Sequence, residues 1–195
     1  IGDESAVAFF FGRRLHQALK VPVGLINCSW GGTRIEPWTP PCGFEGLPEL
    51  ADVKARVDSA VPGSALHKKV LADYAAAMQA WIADAQAKTA ADQPLTAAPD
   101  FPQDLIFSPA QGQHQQPTVL FNRMIYPFVP FTFRGAIWYQ GCSNLGDGAI
   151  YCDKMHALVN GWKKVFENPA LKFYFVQLAP YTYGGDGKPL PVIWE

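Results

Sequence analysis

The residues able to do chemistry concentrate in two short stretches. Ser29-Trp30-Gly31-Gly32-Thr33 joins a hydroxyl and an indole to two adjacent glycines, and Gln140-Gly141-Cys142-Ser143-Asn144 joins two amides to a thiol and a glycine. Backbone N–H groups and the NH2 groups of Asn and Gln are the donors that stabilise the oxygen anion of a tetrahedral intermediate in acyl transfer, at about 3 kcal/mol each. Gly31, Gly32, Gln140 and Asn144 are therefore candidate oxyanion-hole donors. Trp30, Thr33, Arg34 and Trp38, around the first stretch, are candidate substrate-binding residues. Arg34 is placed to meet a carboxylate or to sit on the surface, and the tryptophans to stack on sugar rings or to pack in the core.

Such donors work only where the fold holds them. Both stretches follow apolar runs, at residues 21–27 and 133–139, that read as buried parallel strands. Ligands bind outside the carboxyl ends of strands in open α/β sheets, and paired glycines let the backbone approach a ligand closely. A plain strand-to-helix turn has the same composition. Residues 5–20 read as a helix capped by Ser5 and stopped before Pro22, residues 121–126 as a short helix, residues 149–167 as an amphipathic helix, and residues 171–178 as a third strand. The Gly/Pro/Tyr stretch 180–191 reads as a loop, and residues 192–195 as the opening of a further helix. From 39 to 117 the chain is Pro- and Ala-rich and reads as an insertion carrying a long helix at 65–88, with Leu66, Val70, Tyr74, Met78, Trp81, Ile82 and Ala85 as its apolar stripe. His114, in the polar run 111–116, reads as a solvated loop residue. The sum is a partial doubly wound α/β fold.

Several segments resemble a known family. Phe10-Phe11-Gly12-Arg13-Arg14-Leu15, then Val21 through Thr33, and Gly135 through Asn144 are similar to the sialate O-acetylesterase branch of the SGNH hydrolases. The likeness covers roughly residues 4–38 and 118–195. It implies a three-layer flavodoxin-like parallel sheet with a helical insertion, and a serine carbohydrate O-acetylesterase needing no cofactor or metal. In that fold a serine on the first strand attacks the acetyl ester, and a histidine near the C-terminus acts as base. The block holding the nucleophile is expected upstream of Ile1 and the block holding the histidine downstream of Glu195. The chain is then a segment of one esterase domain. Relatives often carry Glu at the position of Cys142. The substrate class, an acetylated glycan such as sialic acid or xylan, implies a secreted or periplasmic location.

Composition narrows the alternatives. A net charge of -1 leaves no electrostatic footprint for nucleic acid or an anionic membrane, and no apolar run is long enough to span one. Cys28, Cys42, Cys142 and Cys152 lack metal-ligand spacing and read as small buried hydrophobes, with a Cys28–Cys142 bridge left open. A nucleophile inside the chain would be Ser29, which lacks the first glycine of a nucleophile elbow, or Cys142, which would need a histidine among His16, His67, His114 and His156. Gly2-Asp3-Glu4-Ser5 is no substitute, since no strand precedes it. From another class, a non-catalytic carbohydrate-binding domain would present Trp30, Trp38, Tyr181 and Tyr183 to a sugar.

Overall fold

The structure is a computed structural model that describes residues 5–102 and 113–181. Helix α1 (Ala6–Leu19) starts where the Ser5 hydroxyl accepts from Ala8 N. It ends at Lys20, whose left-handed backbone lets its N–H close on His16 O. These bounds are those the capping and periodicity predict, less one residue at each end.

The run that follows is a correction. Residues 21–27 join no strand among the described residues, and Val21, Leu25 and Ile26 are exposed. Their composition suits a buried strand, but a strand is made by a ladder partner. The run lies close under α1: a Cβ on Gly12 would stand 2.8 Å from Leu25 Cδ1.

Strand β1 (Gly135–Trp138) and strand β2 (Lys172–Phe175) pair in parallel, with Gly135 opposite Lys172 and Trp138 opposite Phe175. Helix α4 (Ile150–Val165) connects them, which makes a βαβ unit. The described residues thus form a mostly helical α/β structure on a two-stranded parallel sheet, smaller than the sheet the resemblance implies. The helix expected at 121–126 is a single wide turn, Phe121–Ile125, followed by a tighter one at Tyr126–Phe128.

α4 buries Lys154, Ala157, Leu158, Gly161 and Trp162, one face at helical spacing. Leu158 and Trp162 share a core with Ile35, Trp38, Val119, Leu120, Phe121 and Leu171. Ala157 joins a second cluster with Phe44, Leu50, Val53 and Val57. The last two lie on helix α2 (Ala51–Ala60). The stretch that begins at Thr39 is therefore not uniform: its first part packs into α4, while helix α3 (Ala65–Ala90) buries no residue and packs along α2. The chain after α3 folds back on it, with Trp81 Nε1 donating to Thr96 O and Phe101 edge-on to Tyr74.

The contact between α4 and the turn Pro41–Phe44 is nearly backbone on backbone. A Cβ on Gly161 would lie 2.5 Å from Pro40 Cγ, and one on Gly43 would collide with Ala157 O. Gly→Ala inside a helix ordinarily stabilises by up to about 1 kcal/mol. Here Gly161→Ala is expected instead to destabilise by about 1–3 kcal/mol, read as a lower urea midpoint at unchanged slope. A rise in the midpoint would show that Pro40 yields without cost.

None of the four cysteines forms a disulfide. Cys142 and Cys152 are exposed, contrary to a buried role, while Cys28 and Cys42 are half-buried. Tyr183 and residues 192–195 lie outside the described residues, as does the start of the polar run 111–116.

Candidate active site

The two chemistry-bearing stretches meet. Gln140 Nε2 donates to Thr33 O at 2.9 Å and Ser143 Oγ to Gly32 O at 2.9 Å. Ile35 N donates to Asn144 Oδ1 at 2.9 Å, and Arg34 Nη1 to Ser143 O at 3.2 Å. The second stretch can reach because Gly141 takes φ 147°, outside the range of other residues, and turns the chain from β1 into the helical turn Cys142–Asp147. Sequence proximity could not show this, since the bonded residues lie 107 to 111 positions apart.

Under this junction lies an ion network, buried at Lys154 and Glu36 and open to solvent at Arg34. Lys154 Nζ is 2.6 Å from Glu36 Oε1 and 2.8 Å from Asp147 Oδ2. Arg34 Nη2 is 3.0 Å from Glu36 Oε1 and 2.8 Å from Asp147 Oδ1. Two cations and two carboxylates balance, as buried charge requires. Burial alone would push the Glu36 and Asp147 carboxyls up. The hydrogen bonds that Arg34 and Lys154 give Glu36, and that Lys154, Asn144 and Arg34 give Asp147, outweigh it and hold both below the usual carboxylate range. A carboxyl with a depressed folded pKa adds stability above its unfolded value, about 3.9 for Asp and 4.3 for Glu. That stability is lost as pH falls through the folded value. Thermal melts are therefore expected to be flat from neutrality to about pH 5 and to drop steeply below about pH 4, with Glu36→Gln flattening the acid limb. An acid limb unchanged in Glu36→Gln would place the sensitivity elsewhere.

Asn144, with no exposed surface, sits at the centre of this network. Its amide gives one hydrogen to Glu36 Oε2 at 3.2 Å and the other to Asp147 Oδ2 at 2.6 Å, while Oδ1 accepts from Ile35 N and Gln140 Nε2. Both Gln140 amide hydrogens are also used, on Thr33 O and Asn144 Oδ1. The Tyr151 hydroxyl stands 2.8 Å from Gln140 Oε1. Burial pushes its pKa up to about 12, so it stays a donor and fixes which way the amide faces. The two amides predicted as direct oxyanion donors thus hold the loops to one another in this arrangement.

The other candidates separate. Trp38 is core: it is buried, its Nε1 donates to Thr33 Oγ1, and its ring meets Trp138 edge-on, so it offers no sugar surface. Thr33 is buried and its hydroxyl donates to Trp30 O. The Arg34 guanidinium is taken up by Glu36, Asp147 and Ser143 O. Trp30, 50% exposed, faces solvent. Gly31 and Gly32 lie on an exposed turn, Gly32 with φ 74°. Ser29 gives its hydroxyl to Asn27 Oδ1, and His16 and His67 each place Nδ1 against a backbone carbonyl. Burial raises the Cys28 and Cys42 thiols, which disfavours their thiolates.

Sequence reasoning missed Glu36, Asp147 and Lys154, and it misjudged the surroundings of His114. The signal for Lys154 was present: it stands four residues before Leu158, on the apolar face of α4. The imidazole of His114 stacks on the Trp30 indole at 5.4 Å and 16°. The adjoining Gln115 bridges the glycine turn, donating to Gly32 O at 2.7 Å and accepting from Arg34 N at 3.0 Å. Thr118, buried at φ 69°, donates its N–H to Glu36 O and fixes that segment to the network.

No family model matches the chain. It is 29% identical over 187 residues to the sialate O-acetylesterase of Rattus norvegicus, covering 91% of this chain and 30% of the rat protein. It is 27% identical over 165 residues to that of Homo sapiens, covering 83% of this chain and 21% of the human one. The chain thus spans less than a third of the length of these curated relatives. Among solved structures it matches a carbohydrate acetylesterase from Xanthomonas citri at a TM-score of 0.58 and 24% identity, over 95% of this chain and 29% of that one. Along most of its sequence the chain is thus similar to curated sialate O-acetylesterases, and it shares its fold with a carbohydrate acetylesterase.

Proposed function

We propose that the chain is the segment of a serine carbohydrate O-acetylesterase that builds its oxyanion-binding edge. The observation that carries this reading is the junction of the two loops, with Gln140 and Asn144 fastened to Thr33 and Ile35 so that Gly31 and Gly32 stay open. The N–H groups of those glycines meet no acceptor among the described residues, and they are the proposed oxyanion donors. Gln140 and Asn144 act through the loop they hold and are positioning residues.

The whole enzyme in this reading is a three-layer SGNH-type domain acting on an acetylated glycan outside the cell or in a lumenal compartment. Residues 21–27 are apolar and exposed, and share no ladder bond with β1, although the loops that follow both are bonded together. A flavodoxin-like sheet has the order 2-1-3-4-5, so one strand fits between them. We place the nucleophilic serine at the carboxyl end of that strand. Its Oγ attacks the acetyl carbonyl and passes its proton to a histidine base. The histidine protonates the departing sugar oxygen, and water then releases acetate from the acetyl-enzyme. The N–H groups of Gly31 and Gly32 receive the carbonyl oxygen as it becomes negative.

A fluorophosphonate probe, which reacts with activated serines, tests the assignment. A polypeptide of the relatives' length containing this segment is expected to be labelled at a serine outside residues 1–195. Labelling of Ser29 would overturn it.

A further inference from the structure

We propose that Trp30 and His114 together form a pyranose-stacking platform at the rim of the oxyanion edge, with His114 as the positioning residue that sets the indole. The proposal rests on the acetylesterase reading for the identity of the neighbouring edge, and on geometry for the platform itself.

Three observations carry it. The indole is half exposed, yet it is fixed: His114 lies flat against one face at 5.4 Å and 16°, and the Trp30 carbonyl accepts from the buried Thr33 hydroxyl at 2.8 Å. His114 is itself anchored, because Gln115 next to it is bonded to both Gly32 O and Arg34 N. Trp30 is adjacent in sequence to Gly31 and Gly32, and Gln115, next to His114, is bonded to Gly32 O, so the platform borders the glycine turn. An indole has two faces. His114 covers one, and the exposed remainder is where a sugar's C–H face can stack. Holding the ring in place beforehand removes the entropy that a free tryptophan loses on binding.

The chemistry points to a neutral ring. The cation nearest in sequence, Arg34, is already shared between Glu36 and Asp147, so recognition here comes from aromatic contact with a pyranose and not from pairing with a sugar carboxylate. His114 thus ties the stretch after α3 to substrate choice, which composition alone did not suggest.

The test is binding of xylotetraose, a neutral unacetylated probe, to this chain by calorimetry. Trp30→Ala is expected to weaken it about tenfold, and His114→Ala by roughly two- to tenfold, the range of one aromatic pair. His114→Phe keeps a flat ring and is expected to restore affinity. Far-ultraviolet circular dichroism and melting temperature check each variant for folding. In an active polypeptide carrying the segment, His114→Ala is expected to raise KM for acetylated xylan at unchanged kcat, and to leave turnover of an aryl acetate that has no sugar untouched. Unchanged xylotetraose affinity in a folded His114→Ala would overturn the proposal, as would a His114→Phe no better than alanine. If binding behaves as expected and no ester is cleaved, the platform stands and the acetylesterase reading falls.

Discussion

Lys154→Ala is expected to cost about 3–5 kcal/mol of folding free energy, because removing one partner of a buried pair leaves the others uncompensated. Lys154 is 6% exposed, and its ammonium serves two carboxylates, Glu36 and Asp147, that Arg34 alone would then have to balance. One of them must take up a proton or draw in water. Asn144, which gives a hydrogen to each carboxylate, loses the geometry that places Oδ1 on Ile35 N. Lys154→Met keeps most of the hydrocarbon stem, so its difference from Lys154→Ala isolates packing from charge. The exposed pair Lys69–Asp73 is the control: breaking it is expected to change stability by less than about 0.5 kcal/mol. Urea denaturation of the three variants decides it. A Lys154→Ala loss no larger than that of Lys69→Ala would mean the network is solvated and does not organise the site.

Gln140→Ala carries the largest expected effect on turnover. The side chain is hydrogen-bonded to Thr33 O, Asn144 Oδ1 and the Tyr151 hydroxyl, so its removal cuts one tie between the two loops and leaves those of Ser143, Asn144 and Arg34. In the proposed function Gly31 and Gly32 keep their N–H groups, but their aim is held less firmly, by Ser143 and Gln115 on Gly32 O. Misdirecting one such donor costs about a hundredfold or more in kcat. KM for a glycan ester is expected to change little, since Trp30 and His114 are held by other bonds. The buried Thr33 carbonyl left without its donor adds a stability loss of about 1–3 kcal/mol. Steady-state acetate release, with folding checked by melting, separates the two effects. A KM rise with kcat intact would show that Gln140 touches substrate; equal loss of sugar binding and turnover would count against the oxyanion role.

Much of the fold could be read from local signals, and the site much less so. Ser5 and the spacing of apolar residues located α1 because capping and periodicity act within a few residues. The strand around Ile137 and helix α4 were legible for the same reason. Residues 21–27 failed because apolar composition reports a preference for burial, whereas a strand depends on a partner at a distance. In the site, small residues and amides marked the right loops. Their roles were not legible, because bonds such as Ile35 N to Asn144 and Lys154 to Glu36 span more than a hundred positions. Trp38 and Arg34 illustrate the limit: a tryptophan and an arginine beside a glycine turn look ready for a ligand until the burial of one and the carboxylate partners of the other are seen. His114 is the opposite case, a histidine in a polar loop whose importance comes from the ring it lies against.

In the function we propose, this chain supplies the oxyanion edge of a carbohydrate acetylesterase, with the nucleophile elsewhere in a longer polypeptide. The most direct test of this is acetate release from 9-O-acetylated sialic acid and acetylated xylan by the 195-residue chain and by a polypeptide of the relatives' length that contains it. The longer polypeptide is predicted to release acetate and the chain alone to release none. Turnover by the chain alone would contradict the claim and put the nucleophile inside it, at Ser29 or Cys142.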